Sequence, residues 1–236
     1  IFDEEDCKEL SEPYRPGKLR EMSFANIIGM VKEYRSLYGF YSDDLVGDYK
    51  RTIERLQKEQ RPAIEQQFSS FGNVLYSELH DFLNHGHEWI AAYDESLASV
   101  HGLDFTDLIC GVHHLFQDPV VRERWRSRYS YISVDEMQDT GVLEYKVLEM
   151  LWEGNHVLLC GDYFQTIYEW RGSDPFRLLK QFDADFKPLK IIFYENYRSN
   201  WTLFTMAFKT LQNMFPDLVG SIYTELPRAN SERKGK

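Results

Sequence analysis

Between residues 21 and 117 apolar side chains recur at helical spacing. Phe24, Ile27, Ile28 and Val31 form one such set, and Leu45, Tyr49, Ile53 and Leu56 another. Steps of three and four residues put each set on one side of a helix, so this half of the chain reads as a series of amphipathic helices. Turn signals punctuate it at residues 13–17 and at Gly39, Pro62, Gly72, Gly86 and Gly102. No internal repeat of fixed period accompanies them.

Beyond Pro119 the pattern changes. Tyr131-Ile132-Ser133-Val134 and Val157-Leu158-Leu159-Cys160 are short apolar runs that lead into acidic residues, and Ile191-Ile192-Phe193-Tyr194 is a third. Such runs suit strands buried on both faces of a parallel sheet. Between the first two, residues 142–152 place Leu143, Val147, Leu148 and Leu151 at helical spacing, as the crossover helix of a βαβ unit requires. Shorter helices are expected over 176–182 and 201–214, and residues 231–236 read as a frayed polar tail. The expected class is α/β, and in open parallel sheets ligands bind beyond the carboxyl ends of the strands, where the acidic residues fall here.

Composition narrows this picture little. The 236 residues are 43% hydrophobic, enough for a substantial core. No apolar run approaches the length of a membrane span, and the first residues are acidic where a signal peptide would be basic, so no membrane partner and a cytoplasmic location are expected. Cys7, Cys110 and Cys160 are too scattered for a disulfide framework or a zinc site. His80, His85 and His87 read as surface histidines rather than metal ligands, and the adjacent His113 and His114, which fall on different faces of a helix, carry no stronger metal signal. The net charge of −11 is unlike that of a nucleic-acid binder with a broad basic face, yet Arg122, Arg124, Arg126 and Arg128 form a basic island around Trp125. As a helix this island spreads its arginines round the cylinder, and it reads first as a solvated helix end.

The chemistry gathers at the strand ends. Asp135 and Glu136 directly follow the first strand, where one carboxylate can hold magnesium and the other orient and deprotonate an attacking water. Taken alone, such a pair is more often an acidic turn or a helix cap. The second strand runs into Gly161-Asp162-Tyr163-Phe164-Gln165-Thr166-Ile167-Tyr168-Glu169-Trp170-Arg171-Gly172. There the Gln165 amide can both donate to a phosphate and accept from water, and Tyr168 and Trp170 offer faces for base stacking, although singly such rings are usually core. After the third run comes Asn196-Tyr197-Arg198-Ser199, in which a guanidinium can stabilise phosphoryl charge and a ring can stack on a purine.

In this order and spacing, V-D-E-M-Q-D, G-D-Y-F-Q-T-I-Y-E-W-R-G and E-N-Y-R-S resemble motifs II, III and IV of the UvrD/Rep-type superfamily 1 DNA helicases. The segment G-L-D-F-T-D-L from Gly102 resembles the family's D-F-x-D-L segment, so the likeness is firm over residues 102–200 and only positional before them. It implies a partial RecA-like parallel-sheet core of a P-loop NTPase motor with a large helical insertion. Residues 1–101 would resemble the 1B insertion, 102–194 part of motor domain 1A, and 195–236 motif IV with the start of the second motor domain or a linker. It implies ATP and magnesium as cofactors, with Asp135 holding the metal, Glu136 as catalytic base and Arg198 as arginine finger. Tyr197 would stack on adenine, Gln165 and Arg171 would couple the γ-phosphate to the DNA site, and Asp162 would face the nucleotide. Tyr168 and Trp170 would lie along single-stranded DNA, the expected partner together with single-strand/duplex junctions. Met137, Thr166 and Glu169 depart from the usual residues without removing a catalytic group.

No G-x-x-x-x-G-K-[ST] phosphate loop occurs, because Pro16-Gly17-Lys18-Leu19 lacks both the upstream glycine and the hydroxyl. The expectation is an internal part of a longer 3′-to-5′ helicase or translocase, with little ATP binding and no turnover by itself. A degenerate helicase-like scaffold and the motor of a helicase-nuclease are the rival readings. Among pathways, repair, replication restart and defence against foreign DNA stay open.

Overall fold

The computed structural model describes residues 1–15, 21–70, 73–166, 175–223 and 227–229. The calls on Tyr168, Trp170 and Arg171, on the Gly17-Lys18 string, on Gly72 and on the tail at 231–236 lie outside these residues. The chain divides into two compact units, Ile1–Gln181 and Phe182–Lys236.

The first unit opens with helices α1 (Glu4–Ser11), α2 (Glu21–Tyr38), α3 (Leu45–Glu59) and α4 (Arg61–Gln67). A short antiparallel pair follows, β1 (Ser69–Ser70) with β2 (Asn73–Val74), and then α5 (Tyr76–Ser99) and α6 (Phe105–Leu115). The apolar stripes foreseen on α2 and α3 face each other. Phe24, Ile27, Ile28, Val31, Tyr49, Ile53 and Leu56 are all buried in one cluster with Phe68, Phe82, Ile90 and Leu97. Asp44 caps α3 by accepting from Gly47 N at 2.9 Å, and Gly39 ends α2 with a positive φ of 69°.

Gly86 corrects the sequence reading, since it lies inside the 24-residue α5 rather than at a turn. The ring of the buried Phe82, one turn earlier, lies 2.5 Å from the place a Cβ at position 86 would take. Glycine is there to make room for a core ring, and the helix continues through it.

Three carboxylates converge on one buried cation at the junction of α2, α5 and α6. Lys32 Nζ lies 2.5 Å from Asp107 Oδ1, 2.8 Å from Asp104 Oδ2 and 3.1 Å from Asp94 Oδ1. Burial alone lowers the Lys32 pKa, but the carboxylates outweigh it and hold it above the usual lysine range. Asp104 and Asp107 also form the capping box that starts α6.

The α/β part begins with α7 (Pro119–Arg126) and β3 (Tyr131–Val134), continues through α8 (Val142–Trp152) to β4 (His156–Leu159), and leads to α9 (Pro175–Phe186). β3 and β4 pair in parallel with Ile132 opposite Val157 and Val134 opposite Leu159. α8 is the crossover, held by buried Leu143, Tyr145 and Trp152. A small parallel sheet fed by helices is consistent with part of a RecA-like core.

In the second unit α10 (Trp201–Met214) packs on α11 (Pro216–Ile222), with the rings of Phe208 and Tyr223 meeting edge to face at 5.5 Å. The expected strand at 191–194 is not formed. The strand here is β5 (Glu195–Asn196), parallel to β6 (Arg228–Ala229), while Ile191 and Phe193 are 71% and 83% exposed. An apolar run becomes a buried strand only when neighbours supply its ladder, and no described residue does so for this one.

Among the described residues no helix is long and apolar enough to cross a membrane, and Cys7, Cys110 and Cys160 are free thiols. His113 and His114 fall on different faces of α6: His113 is buried with Nδ1 2.8 Å from Ser36 Oγ, whereas His114 is exposed and packs on Tyr41.

Candidate active site at the carboxyl edge of the parallel strands

β3 and β4 end side by side, and backbone hydrogen bonds extend their pairing by a residue: Cys160 N donates to Val134 O at 2.8 Å and Met137 N to Cys160 O at 2.9 Å. This ladder brings the two sequence motifs to one edge. Asp135 leaves β3 exposed, and its Oδ1 accepts the Glu136 N–H at 3.0 Å.

Glu136 adopts the left-handed region, φ 51° and ψ 41°. For a residue with a Cβ this costs about 1–2 kcal/mol and breaks the alternation of the strand. The turn Met137–Asp139 follows at once and buries Met137 and Gln138.

Gln138 is the residue that sequence reasoning passed over. It is 2% exposed, and its amide is used at both ends. Nε2 donates to Glu136 Oε2 at 2.5 Å, and Oε1 accepts from Asp162 N at 3.0 Å. Its backbone carbonyl accepts from Thr166 Oγ1 at 2.7 Å. Asp162 in turn caps the short turn Tyr163–Gln165 through Phe164 N and accepts from Gln165 Nε2 at 2.8 Å. Glu136, Gln138, Asp162 and Gln165 therefore form one hydrogen-bonded line across both strand ends.

Gly161 is fixed by the same line. A Cβ there would stand 2.6 Å from Gln138 Oε1, so the loop after β4 approaches only because position 161 has no side chain. The signal in the sequence that could have identified Gln138 is an amide set between Glu136 and Asp139 in the acidic turn after β3.

The donor set suits magnesium bound through phosphate. Among the described residues no three His, Cys, Asp or Glu side chains cluster as a complete metal cage. Magnesium at nucleotide sites commonly takes one or two carboxylates and fills its octahedron with water and phosphate oxygens. An exposed strand-end aspartate with one oxygen uncommitted to the backbone meets that need. In the same turn, Asp139 Oδ1 is buried with no hydrogen-bond partner among the described residues.

The two remaining described candidates, Tyr197 and Arg198, belong to the second unit. Asn196 Oδ1 accepts from Arg198 N at 3.0 Å and from Ser199 N at 2.8 Å, and Asn200 Oδ1 accepts from Leu203 N at 2.9 Å to cap α10. These local bonds shape a tight turn from which Tyr197 stands 71% exposed, with its hydroxyl donating to Glu195. Arg198 is exposed and has no carboxylate partner among the described residues.

Known proteins are similar to this chain in sequence. The profile of the UvrD/REP helicase N-terminal domain matches residues 3–187. DNA helicase II of Haemophilus influenzae is 34% identical over 143 residues, 58% of this chain and 20% of that protein. ATP-dependent DNA helicase Rep of Buchnera aphidicola subsp. Schizaphis graminum is 37% identical over 131 residues, 54% of this chain and 20% of that protein. ATP-dependent DNA helicase PcrA of Staphylococcus aureus is 34% identical over 149 residues, 62% of this chain and 18% of that protein. The chain thus spans about a fifth of the length of these curated relatives. With a family profile covering most of its residues, including the paired strand ends and their carboxylates, the chain belongs to the UvrD/REP helicase N-terminal domain family.

Proposed function

We propose that this chain supplies the carboxylate-bearing part of an ATP-driven motor that moves 3′ to 5′ along single-stranded DNA or opens single-strand/duplex junctions. Relatives named ATP-dependent DNA helicases support the use of ATP and DNA. The observation that carries the reading is the hydrogen-bonded line from Glu136 through Gln138 to Asp162 and Gln165.

In this reading Asp135 holds magnesium, which when bound supplies charge neutralisation at the phosphates. Glu136 is the general base. Gln138 occupies its Oε2, which leaves Oε1 to orient a water and take its proton. Because the same amide accepts from Asp162 N, a displacement of Glu136 is passed to the loop that carries Gln165. Further along that loop Arg171 carries the coupling, and Tyr168 and Trp170 stack on DNA bases. Arg198 acts as the arginine finger and Tyr197 stacks on adenine. Residues 1–101 form the helical insertion, 102–194 part of the first motor domain, and 195–236 the start of the second.

The test is phosphate release by the longer protein that carries this chain, with and without single-stranded DNA, before and after Glu136→Gln. A lost general base should lower DNA-stimulated turnover by about 10²–10⁴-fold. Undiminished turnover refutes the assignment. The isolated chain, without a phosphate loop, should bind ATP weakly in calorimetry and release no phosphate; robust magnesium-dependent hydrolysis by it overturns that part.

A further inference from the structure

The turn between β3 and α8 carries three carboxylates. Asp135 stands exposed at the strand end and Glu136 takes the Gln138 amide, but the Asp139 carboxylate has no such use. Its Oδ1 is sealed from solvent, and among the described residues no N–H or O–H donates to it. A buried oxygen without a donor has given up its water and gained nothing in exchange, so such groups are rare in folded proteins and call for a cause.

The donors nearest along the chain are committed elsewhere. Glu136 N donates to Asp135 Oδ1 at 3.0 Å, Met137 N to Cys160 O at 2.9 Å, Asp139 N to Glu136 O at 2.9 Å and Thr140 N to Met137 O at 3.2 Å. Gly141 N closes the start of α8 on Glu144 Oε2 at 2.8 Å. The buried Thr140 hydroxyl donates to Met137 Sδ at 3.5 Å, a weak acceptor taken where no oxygen is in reach. Lys146, the first cation on α8, pairs with Glu149.

The place of the orphaned oxygen gives it a consequence. The Asp139 N–H closes the turn on Glu136, the residue whose backbone is left-handed. A backbone held in that region at a cost keeps its shape only where its surroundings fix it more than once. Cys160 O and the Gln138 amide do so from the side of β4, whereas at Asp139 the fixing partner is missing.

We propose that Asp139 is a positioning residue: its buried Oδ1 accepts a hydrogen bond from a lysine or arginine side chain that the rest of the longer motor brings to it, and that bond fixes the backbone at Glu136. A cation suits the site better than a neutral donor or a water, because a carboxylate oxygen sealed from solvent needs its charge answered as well as its lone pair. The stability that the orphaned oxygen costs this chain is recovered when the partner arrives. The inference rests on the reading of this chain as part of a longer motor, but not on which residue serves as general base.

The experiment compares Asp139→Asn, which keeps the shape and removes the charge, in this chain and in the longer protein. In this chain, where the oxygen lacks a donor, Tm should rise by about 2–4 °C. In the longer protein, where the same change breaks an ion pair, Tm should fall. Asp139→Leu, which removes both oxygens, should show the same reversal of sign. A side chain that only packs in the turn would move both proteins in one direction. In the longer protein Asp139→Asn should also lower the kcat of DNA-stimulated phosphate release by about 10- to 100-fold, the effect of a misplaced base, with KM for ATP within about twofold of the parent. The proposal is overturned if Asp139→Asn lowers Tm in this chain, since a water or a residue of the chain would then already serve the oxygen. It is equally overturned if Tm shifts with the same sign in both proteins, or if turnover is unimpaired. Full turnover in Glu136→Gln would remove the assigned base alone, because the reversal of Tm needs no ATP and still decides Asp139.

Discussion

Replacing Lys32 by methionine keeps most of the side-chain volume and deletes the cation that, among the described residues, lies within ion-pair reach of Asp94, Asp104 and Asp107. The Lys32 side chain is 3% exposed and those carboxylates are 10–22% exposed, so water offers little compensation. Their remaining partners include the Tyr49 hydroxyl on Asp94 and the Tyr93 hydroxyl on Asp104 at 3.2 Å. Removing one member of a buried ion pair costs about 3–5 kcal/mol, mostly as the penalty on the charge left behind. With a urea m-value of roughly 2 kcal/mol per molar, the unfolding midpoint should drop by about 2 M at pH 7. In the parent, the raised Lys32 pKa means the ion network contributes fully below the ordinary lysine value and fades only as pH rises through the elevated one. In Lys32→Met, Asp107, whose carboxyl burial already pushes up, can relieve repulsion by taking up a proton. The deficit should therefore shrink as pH falls from 7 towards 4.5. The assay is urea unfolding followed by circular dichroism at several pH values. A deficit under about 1 kcal/mol at pH 7, or one that does not change with pH, refutes the account of three carboxylates held by one lysine.

Three other outcomes follow from the same structure. Burial, reinforced by Glu144 on α8, pushes the Glu33 carboxyl up to about 8, and the neighbouring Cys110 thiol on α6 is also raised. The parent should then lose stability as pH climbs from about 4.5 to 8, at up to about 1.4 kcal/mol per pH unit, while Glu33→Gln lacks this slope and is the more stable protein at pH 8; parallel pH profiles would count against it. Gln138→Met leaves the Asp162 N–H without its acceptor and frees Glu136, so the longer protein should lose DNA-stimulated phosphate release while the chain loses about 1–3 kcal/mol; unimpaired turnover sinks the clamp. Gly86→Ala should destabilise the chain even though alanine is favoured in a helix by about 1 kcal/mol, because the new Cβ meets the buried Phe82 ring, and a rise in Tm would contradict this.

Much of the architecture was legible along the chain because the physical signals are local. The stripes on α2 and α3, the crossover helix at Val142–Trp152 and the strand at Tyr131–Val134 each depend on side chains within a few residues of one another. The acidic residues at strand ends, and their family resemblance, are likewise properties of contiguous motifs. Failures arose where a residue's role is set by a distant neighbour. Gly86 resembled a turn because the ring it accommodates becomes a neighbour only once the helix forms, and the run at 191–194 resembled a strand because a sequence does not say whether a ladder partner is present.

The sequence by itself thus determined the helical first part, the βαβ connection, the carboxylate pair and membership of a helicase family. Tertiary structure alone decided that Gln138 ties Glu136 to Asp162, that one buried lysine is shared by three aspartates, and that Asp139 Oδ1 is buried without a hydrogen-bond partner among the described residues. Periodicity and motif spacing are written between near neighbours. Hydrogen bonds, ion pairs and the desolvation that gives them their strength join residues brought together only when the chain closes on itself.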